Sequence, residues 1–290
     1  MTTPDPHHEA VAYPLARDIL VVSGPDATAY LQGQLSQDIE SMAVGDSAWS
    51  FALAPAGKVE AWLRVSRRDD DWVLDIDEGF GEDLAARLTR FLLRTDATVA
   101  PVSWDGFAVR GPGAAEVVPP DTTLGVDPAW PGVEGIDLLG PGPSAPVGPA
   151  VGEAVDLETL RIESGVPAMG AELDQSTIPA ATGVVDRSVS FTKGCYTGQE
   201  LVARVNSRGG VAPTRLCGVL GPADRPLGPG ATLVVGGEEA GVVTSASYAP
   251  WRDATVALAY VRRAVEVPSD ARAEAHGDAE AVRLVPLPMT

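Results

Sequence analysis

The stretch FTKGCYTGQELVARVNSRGG, Phe191–Gly210, gathers residue types that the rest of the chain almost lacks. Only two lysines, two cysteines and one asparagine occur in 290 residues, and Lys193, Cys195 and Asn206 all fall in this window. Nineteen of the 21 basic residues are Arg, so Lys58 and Lys193 mark places where a compact ammonium serves and a planar guanidinium does not. Gly194 and Gly198 bracket Cys195-Tyr196-Thr197, which lets the backbone turn tightly and a ligand approach closely. Cys195 is thereby presented on a loop, with Lys193 and Arg204 nearby in sequence to favour its thiolate. It is the candidate functional thiol. Cys217, embedded in the apolar run RLCGVL, is expected to be a packing residue.

Charge frames the same window. The formal net charge is −19, which argues against direct binding of nucleic acid, since phosphate affinity comes from clustered Lys and Arg. From Arg187 to Arg208, however, four basic residues (Arg187, Lys193, Arg204, Arg208) face one acid, Glu200. Such a positive island in an acidic protein focuses anions.

Several chemistries are excluded. His7 and His8 lie in the polar tail MTTPDPHHEA and His276 near the other end, so no Cys-His hydrolase pair is suggested. Two cysteines without ligand-spaced histidines cannot hold a four-ligand zinc or iron–sulfur site, and no metal is expected. Neither GxGxxG nor GxxxxGK[ST] appears. The start of the chain lacks a signal-peptide pattern and no apolar run approaches the ~20 residues of a membrane span, so a cytoplasmic location with both thiols reduced is expected.

Working outward, DILVVSG (Asp18–Gly24) reads as a strand, followed at Gly24-Pro25 by a helix carrying Leu31, Leu35, Ile39 and Met42 on one face. Two strands follow around a turn at Pro55–Gly57, then DWVLDID as a strand and Gly81–Arg94 as a helix. Gly111–Pro149, rich in Gly and Pro but holding apolar islands, reads as a loop-rich compact subdomain. Asp156–Gly165 reads as a short helix with Asp156 as N-cap and Gly165 as its stop. After Pro213, short β segments split by Gly, Pro and Asp turns indicate a small barrel or sandwich. The class is α+β, with a region 1–212 in two subdomains (about 1–100 and 101–212, with interleaving open) and a C-terminal β domain, 213–290.

KGCYTGQE resembles the signature of the YgfZ-type folate-binding proteins, relatives of the glycine-cleavage T-protein, an aminomethyltransferase. The likeness extends through YLQGQLSQDI, LAPAGKVEAWLRV, RIESGVPAMGAELDQSTIPAATG and AGVVTSASYAPWRDATVALAYVRR, in the family's order. The resemblance implies a ring of three subdomains around a central channel that holds the pterin of tetrahydrofolate, with the small β-barrel as the last domain. It also implies a role in assembling or repairing iron–sulfur proteins, including enzymes that modify tRNA, with iron–sulfur client proteins or assembly factors as partners.

Carried over by position, Lys193, Gly194, Cys195, Tyr196, Gly198, Gln199 and Glu200 match the signature, and Arg204 the arginine after it. Glu163 matches the glutamate of an R-x-E-x-G segment that in T-proteins faces the pterin. A carboxylate suits that task because it accepts two hydrogen bonds from the ring's donor edge. Lys193, Arg204 and Arg208 are then the candidates to hold the anionic glutamate tail of the folate. One departure is informative: the aspartate that assists methylene transfer in T-proteins falls at Ala61 or Trp62, neither of which carries a proton, and Glu60 should face the other way. The expectation is a folate-binding accessory factor without transferase activity. The alternative is a folate-dependent aminomethyltransferase or demethylase acting on a small amine.

Overall fold

The computed structural model describes residues 3–207, 209–225, 227–275 and 277–289, so Arg208 and His276 lie outside the described residues. In chain order the elements are β1 (Val11–Pro14), β2 (Arg17–Ser23), α1 (Ala27–Gln34), β3 (Ser47–Leu53), β4 (Val59–Arg67), β5 (Asp71–Asp77), α2 (Gly81–Arg90), β6 (Thr98–Val102), β7 (Asp105–Arg110), β8 (Leu124–Val126), β9 (Gly135–Gly140) and β10 (Ala150–Val151). They continue with α3 (Ala154–Ser164), α4 (Val185–Ser188), α5 (Gln199–Ser207), β11 (Thr214–Pro222), β12 (Thr232–Val235), β13 (Glu238–Ala249), β14 (Ala254–Arg262), β15 (Ser269–Ala275) and β16 (Asp278–Val285).

Two five-stranded sheets and a barrel result: one sheet in the order β3-β4-β5-β2-β6, a second in the order β10-β1-β7-β9-β8, and a closed barrel β11-β14-β13-β12-β15-β16. Because β1 pairs antiparallel with β7 and parallel with β10, the first strand of the chain belongs to the second sheet. Helices α1 and α2 cover one face of the first sheet, burying Leu31, Leu84 and Leu88 in the same core as Leu20, Val22 and Leu74. The other face turns toward the second sheet, where Ile19 and Val73 meet Val126 and Leu139.

That inter-sheet space holds charge as well as hydrocarbon. Arg64 on β4, with 1% of its surface exposed, donates from Nε and Nη2 to both oxygens of Asp75 on β5 at 3.0 and 3.1 Å. Its Nη1 reaches across to Asp137 on β9 at 2.8 Å, whose other oxygen accepts from Arg110 on β7 at 2.7 Å. Arg17 on β2 closes the row on Asp75 at 2.9 Å. Burial raises the Asp137 carboxyl, but Arg110 and Arg64 outweigh it and hold it below the usual carboxylate range.

Three local expectations are corrected. The first helix stops at Gln34, because Leu35 turns extended; Leu35, Ile39 and Met42 stay buried from the following turns. The second stops at Arg90, and Leu92 packs from the loop beyond it. The N-cap of α3 is Glu153, and Asp156 sits at the third position, where its carboxylate returns to the Glu153 N–H in a capping box. Gly165 ends the helix at φ +74° as expected.

Replacing Arg64 by Met should cost about 3–5 kcal/mol, the usual result of removing one partner from buried ion pairs. Arg64→Lys should recover less than half of that, since one ammonium cannot span two carboxylates. Urea unfolding midpoints of the two variants check this.

Candidate functional site

The signature folds into the loop before α5 and the first turn of that helix. Lys193 is its anchor: Nζ donates to the carbonyls of Gln32, Leu35 and Gln37 at 2.6, 2.7 and 2.7 Å, tying down the end of α1 and the turn after it. Burial pushes its pKa down to about 8, against the nearby charges of Asp38 and Glu40, while the three carbonyls accept the bonds of the ammonium. An arginine cannot direct three donors onto three oxygens around one point. The Tyr196 ring lies 5.2 Å from the same ammonium, and Thr197 N–H bonds the Gly33 carbonyl at 3.2 Å. The Gln199 side chain turns back to accept from the Tyr196 N–H at 3.2 Å.

Gly198 is required by geometry. At φ +80°, a Cβ there would stand 2.4 Å from the Ala54 carbonyl oxygen, and a Cβ on Gly57 would stand 2.3 Å from Cβ of Leu201. The two glycines let the signature and the Pro55–Gly57 turn interlock. Gly194 has ordinary backbone geometry and open space on its Cβ side. Cys195 beside it is exposed, while Cys217 is buried in the barrel and its thiol is pushed up by burial. Glu200 and Arg204 are exposed on α5. The signature therefore uses Lys193, Tyr196, Gly198 and Gln199 to hold a loop on which the Cys195 thiol stands in solvent.

Between the barrel strand β11, the tail after β16 and the segment 182–187 lies a cavity of about 600 Å³, lined among others by Thr182, Val184, Arg187, Arg215, Cys217 and Leu287. A cleft of about 380 Å³ adjoins it through the shared residues Pro131, Ser164 and Pro288 and leads to Glu163. Glu163, at the end of α3 and 3% exposed, accepts from Arg252 Nε at 2.6 Å, Trp251 Nε1 at 2.9 Å and His7 Nε2 at 3.0 Å. Burial raises its carboxyl, but the His7 and Trp251 hydrogen bonds and the Arg252 charge together hold it below the usual range. His7 is raised, chiefly by its bond to Glu163.

His7 is thus a member of this site and not of a free polar tail, a placement that sequence proximity could not show because its partner lies 156 residues away. Lys193 and Arg204 are not among the residues lining cavity or cleft. The structure brings Glu163 together with His7, Trp251 and Arg252, and it separates that group from the exposed Cys195. Trp251 and Arg252 were legible only as part of the turn APWRD. Trp62 faces the inter-sheet space, stacked on Trp49 at 4.0 Å and 15°, with Nε1 on Ser188 Oγ. The expectation that Glu60 faces the other way is corrected: it lines the same cleft as Ala61, where Arg87 takes its carboxylate at 2.5 Å.

This arrangement of two sheets and a barrel is the T-protein fold: the chain superposes on aminomethyltransferase T of Bartonella henselae with a TM-score of 0.81 over 98% of this chain and 87% of that one, at 22% identity. Residues 215–290 match the glycine cleavage T-protein C-terminal barrel domain. Within that class, the chain is 29% identical over 214 residues to the tRNA-modifying protein YgfZ of Klebsiella pneumoniae, covering 66% of this chain and 65% of that protein. It is 28% identical over 212 residues to an iron–sulfur cluster assembly factor IBA57 homolog of Mycosarcoma maydis, covering 67% and 53%. The chain is thus similar to the YgfZ proteins over about two thirds of its length and carries the T-protein barrel domain at its C-terminal end. Its alignments span just under two thirds of the YgfZ proteins' length.

Two outcomes test the site. Lys193→Met leaves three carbonyls without their donor and should lower stability by about 2–4 kcal/mol, read from chemical denaturation. The His7–Glu163 bond should be pH-gated. His7 is raised above 6.5, so its contribution is complete below 6.5 and is lost as pH rises through the folded value. Glu163 is lowered from 4.5, so its contribution is present above 4.5 and is lost as pH falls through the folded value. NMR titration of the His7 ring should show the raised midpoint, and Glu163→Gln should return it toward 6.5.

Proposed function

We propose that this chain is a tetrahydrofolate-binding accessory protein that supports iron–sulfur cluster assembly or repair and, through it, iron–sulfur enzymes that modify tRNA. The observation that carries the reading is Trp62. In a T-protein fold, the strand position at which the resemblance places an assisting aspartate holds a buried indole stacked on Trp49, and the neighbouring Ala61 has no ionisable group. General acid–base catalysis needs a group that takes and returns a proton at the reacting atom, commonly a 10²–10⁴-fold contribution, and indole supplies none. The fold is kept while the transfer chemistry is not supported.

The residues fit a bound folate. A cavity of about 600 Å³ with a connected cleft is of ligand size, its walls are largely apolar, and a buried carboxylate stands at one end. Glu163 would hold the donor edge of the pterin, with the half-exposed His7 as the partner it exchanges for the ligand, while Arg252 and Trp251 keep the carboxylate ionised and aimed. When bound, the folate supplies a one-carbon carrier. The names of the Klebsiella and Mycosarcoma relatives support the link to tRNA modification and cluster assembly. Cys195, exposed on its own loop away from the cavity, is the thiol available to a protein partner.

The alternative, a folate-dependent aminomethyltransferase or demethylase, draws on a Rubrobacter xylanophilus aminomethyltransferase, 25% identical over 269 residues. Trp62 weighs against it. The deciding experiment incubates the protein with tetrahydrofolate and an aminomethyl-lipoyl carrier. Calorimetry should show binding of tetrahydrofolate, and no methylenetetrahydrofolate or ammonia should form at enzymatic rates; turnover would establish the alternative. In a null strain, Cys195→Ser should fold and bind folate normally yet fail to restore iron–sulfur enzyme activity, whereas Cys217→Ser should restore it.

A further inference from the structure

Arg187, on the short helix α4, has a guanidinium with unfinished hydrogen bonding. Its Nη1 donates to the Ala129 carbonyl at 2.5 Å, and the group lies 5.3 Å from the Trp62 ring centre. Its Nε and Nη2 are shut off from solvent and have no acceptor among the described residues. Burial alone pushes its pKa down to about 10. The two idle donors form the side edge of the guanidinium fork, whose parallel N–H bonds match the two oxygens of a carboxylate. Buried donors are nearly always satisfied, so this edge calls for an acceptor that the described residues do not provide.

The surroundings state which acceptor. Arg187 lines the central cavity together with Arg215, whose Nη2 is held by the Val265 carbonyl at 2.8 Å. The acidic residue on that wall, Asp186, is exposed and makes no hydrogen bond to Arg187 among the described residues. Most of the remaining wall is apolar, with Val184, Leu216, Val267 and the prolines at 131, 286 and 288, beside the hydroxyls of Ser164 and Thr182. Two cations in an apolar recess of a protein with net charge −19 make a local positive potential selective for an anion with an apolar body. The stack Arg64–Trp49–Trp62–Arg187 fixes the plane of the fork from behind, with spacings of 5.4, 4.0 and 5.3 Å.

We infer that Arg187 is the carboxylate receptor of the central cavity, gripping a carboxylate-bearing aromatic ligand through Nε and Nη2. It deepens the proposed folate reading, on which it rests for the choice of cavity, and moves the anion-holding role from Lys193 and Arg204, which do not line the cavity, to Arg187. Because Nε and Nη2 are closed off from solvent as the side chain stands, this role requires the outer side-chain torsions to turn when the ligand enters. Arg215 adds charge without a free fork.

The test is calorimetric, with four probes against the full chain, Arg187→Met and Arg187→Lys, each first checked by thermal melting. The probes are tetrahydrofolate, tetrahydropterin lacking the benzoylglutamate, p-aminobenzoylglutamate, and hippurate as an aromatic carboxylate unrelated to folate. Arg187→Met should weaken tetrahydrofolate, p-aminobenzoylglutamate and hippurate by about ten- to a hundredfold and leave tetrahydropterin unchanged. Arg187→Lys should restore only part, since a point charge does not replace the fork. Equal affinity of the carboxylates for the full chain and Arg187→Met overturns the inference, as does failure of all of them to bind the full chain. If tetrahydropterin does not bind and tetrahydrofolate binds no better than hippurate, while the carboxylates still depend on Arg187, the folate reading fails and the receptor stands.

Discussion

The constraint on which the molecule turns is the buried row Arg17–Asp75–Arg64–Asp137–Arg110, which ties the two sheets across a space that hydrocarbon only partly fills. Bringing such charges out of water costs several kcal/mol per ion, and the cost is offset here because the Arg64 fork is matched on both edges and both aspartates are shared by two cations. The geometry then has little freedom. A guanidinium bidentate to β5 and singly bonded to β9 sets the spacing of the sheets.

From that row the constraint passes outward through aromatic rings. Arg64 lies 5.4 Å from the Trp49 ring centre, Trp49 stacks on Trp62, and Arg187 covers Trp62 from the cavity side. Cation–π contact is strongest where water is excluded, so the interior charges and the cavity-lining Arg187 are linked through the two indoles. The buried Trp62 indole is structural in the same sense, stacked between Trp49 and the Arg187 guanidinium.

The signature has a second, separate logic. Lys193 closes three carbonyls left open where α1 ends, and Gly57 and Gly198 give up side chains so that two turns can interlock. These are scaffold tasks, and they leave an exposed thiol on a loop held from beneath. Cavity and thiol are therefore distinct surfaces of one protein.

The sequence by itself determined the α+β class, the run of short strands that close the barrel, the glycine stop of α3, the buried fate of Cys217 and the exposure of Cys195, because each follows from local periodicity, turn chemistry or a glycine within a few residues. Its bias against lysine also marked Lys193 as special, though the reason lay in carbonyls some 160 residues earlier, with separations of 156 to 161. Tertiary structure alone decided the rest. Charge counting cannot say which cation of an island faces a cavity, so Arg187 was one of four until the fold placed it on Trp62. His7 looked like part of a solvated tail until β1 joined the second sheet and carried it to Glu163. Strand order, and which carboxylate meets which guanidinium, are set by burial and pairing between segments far apart in the chain, and no local pattern encodes those distances.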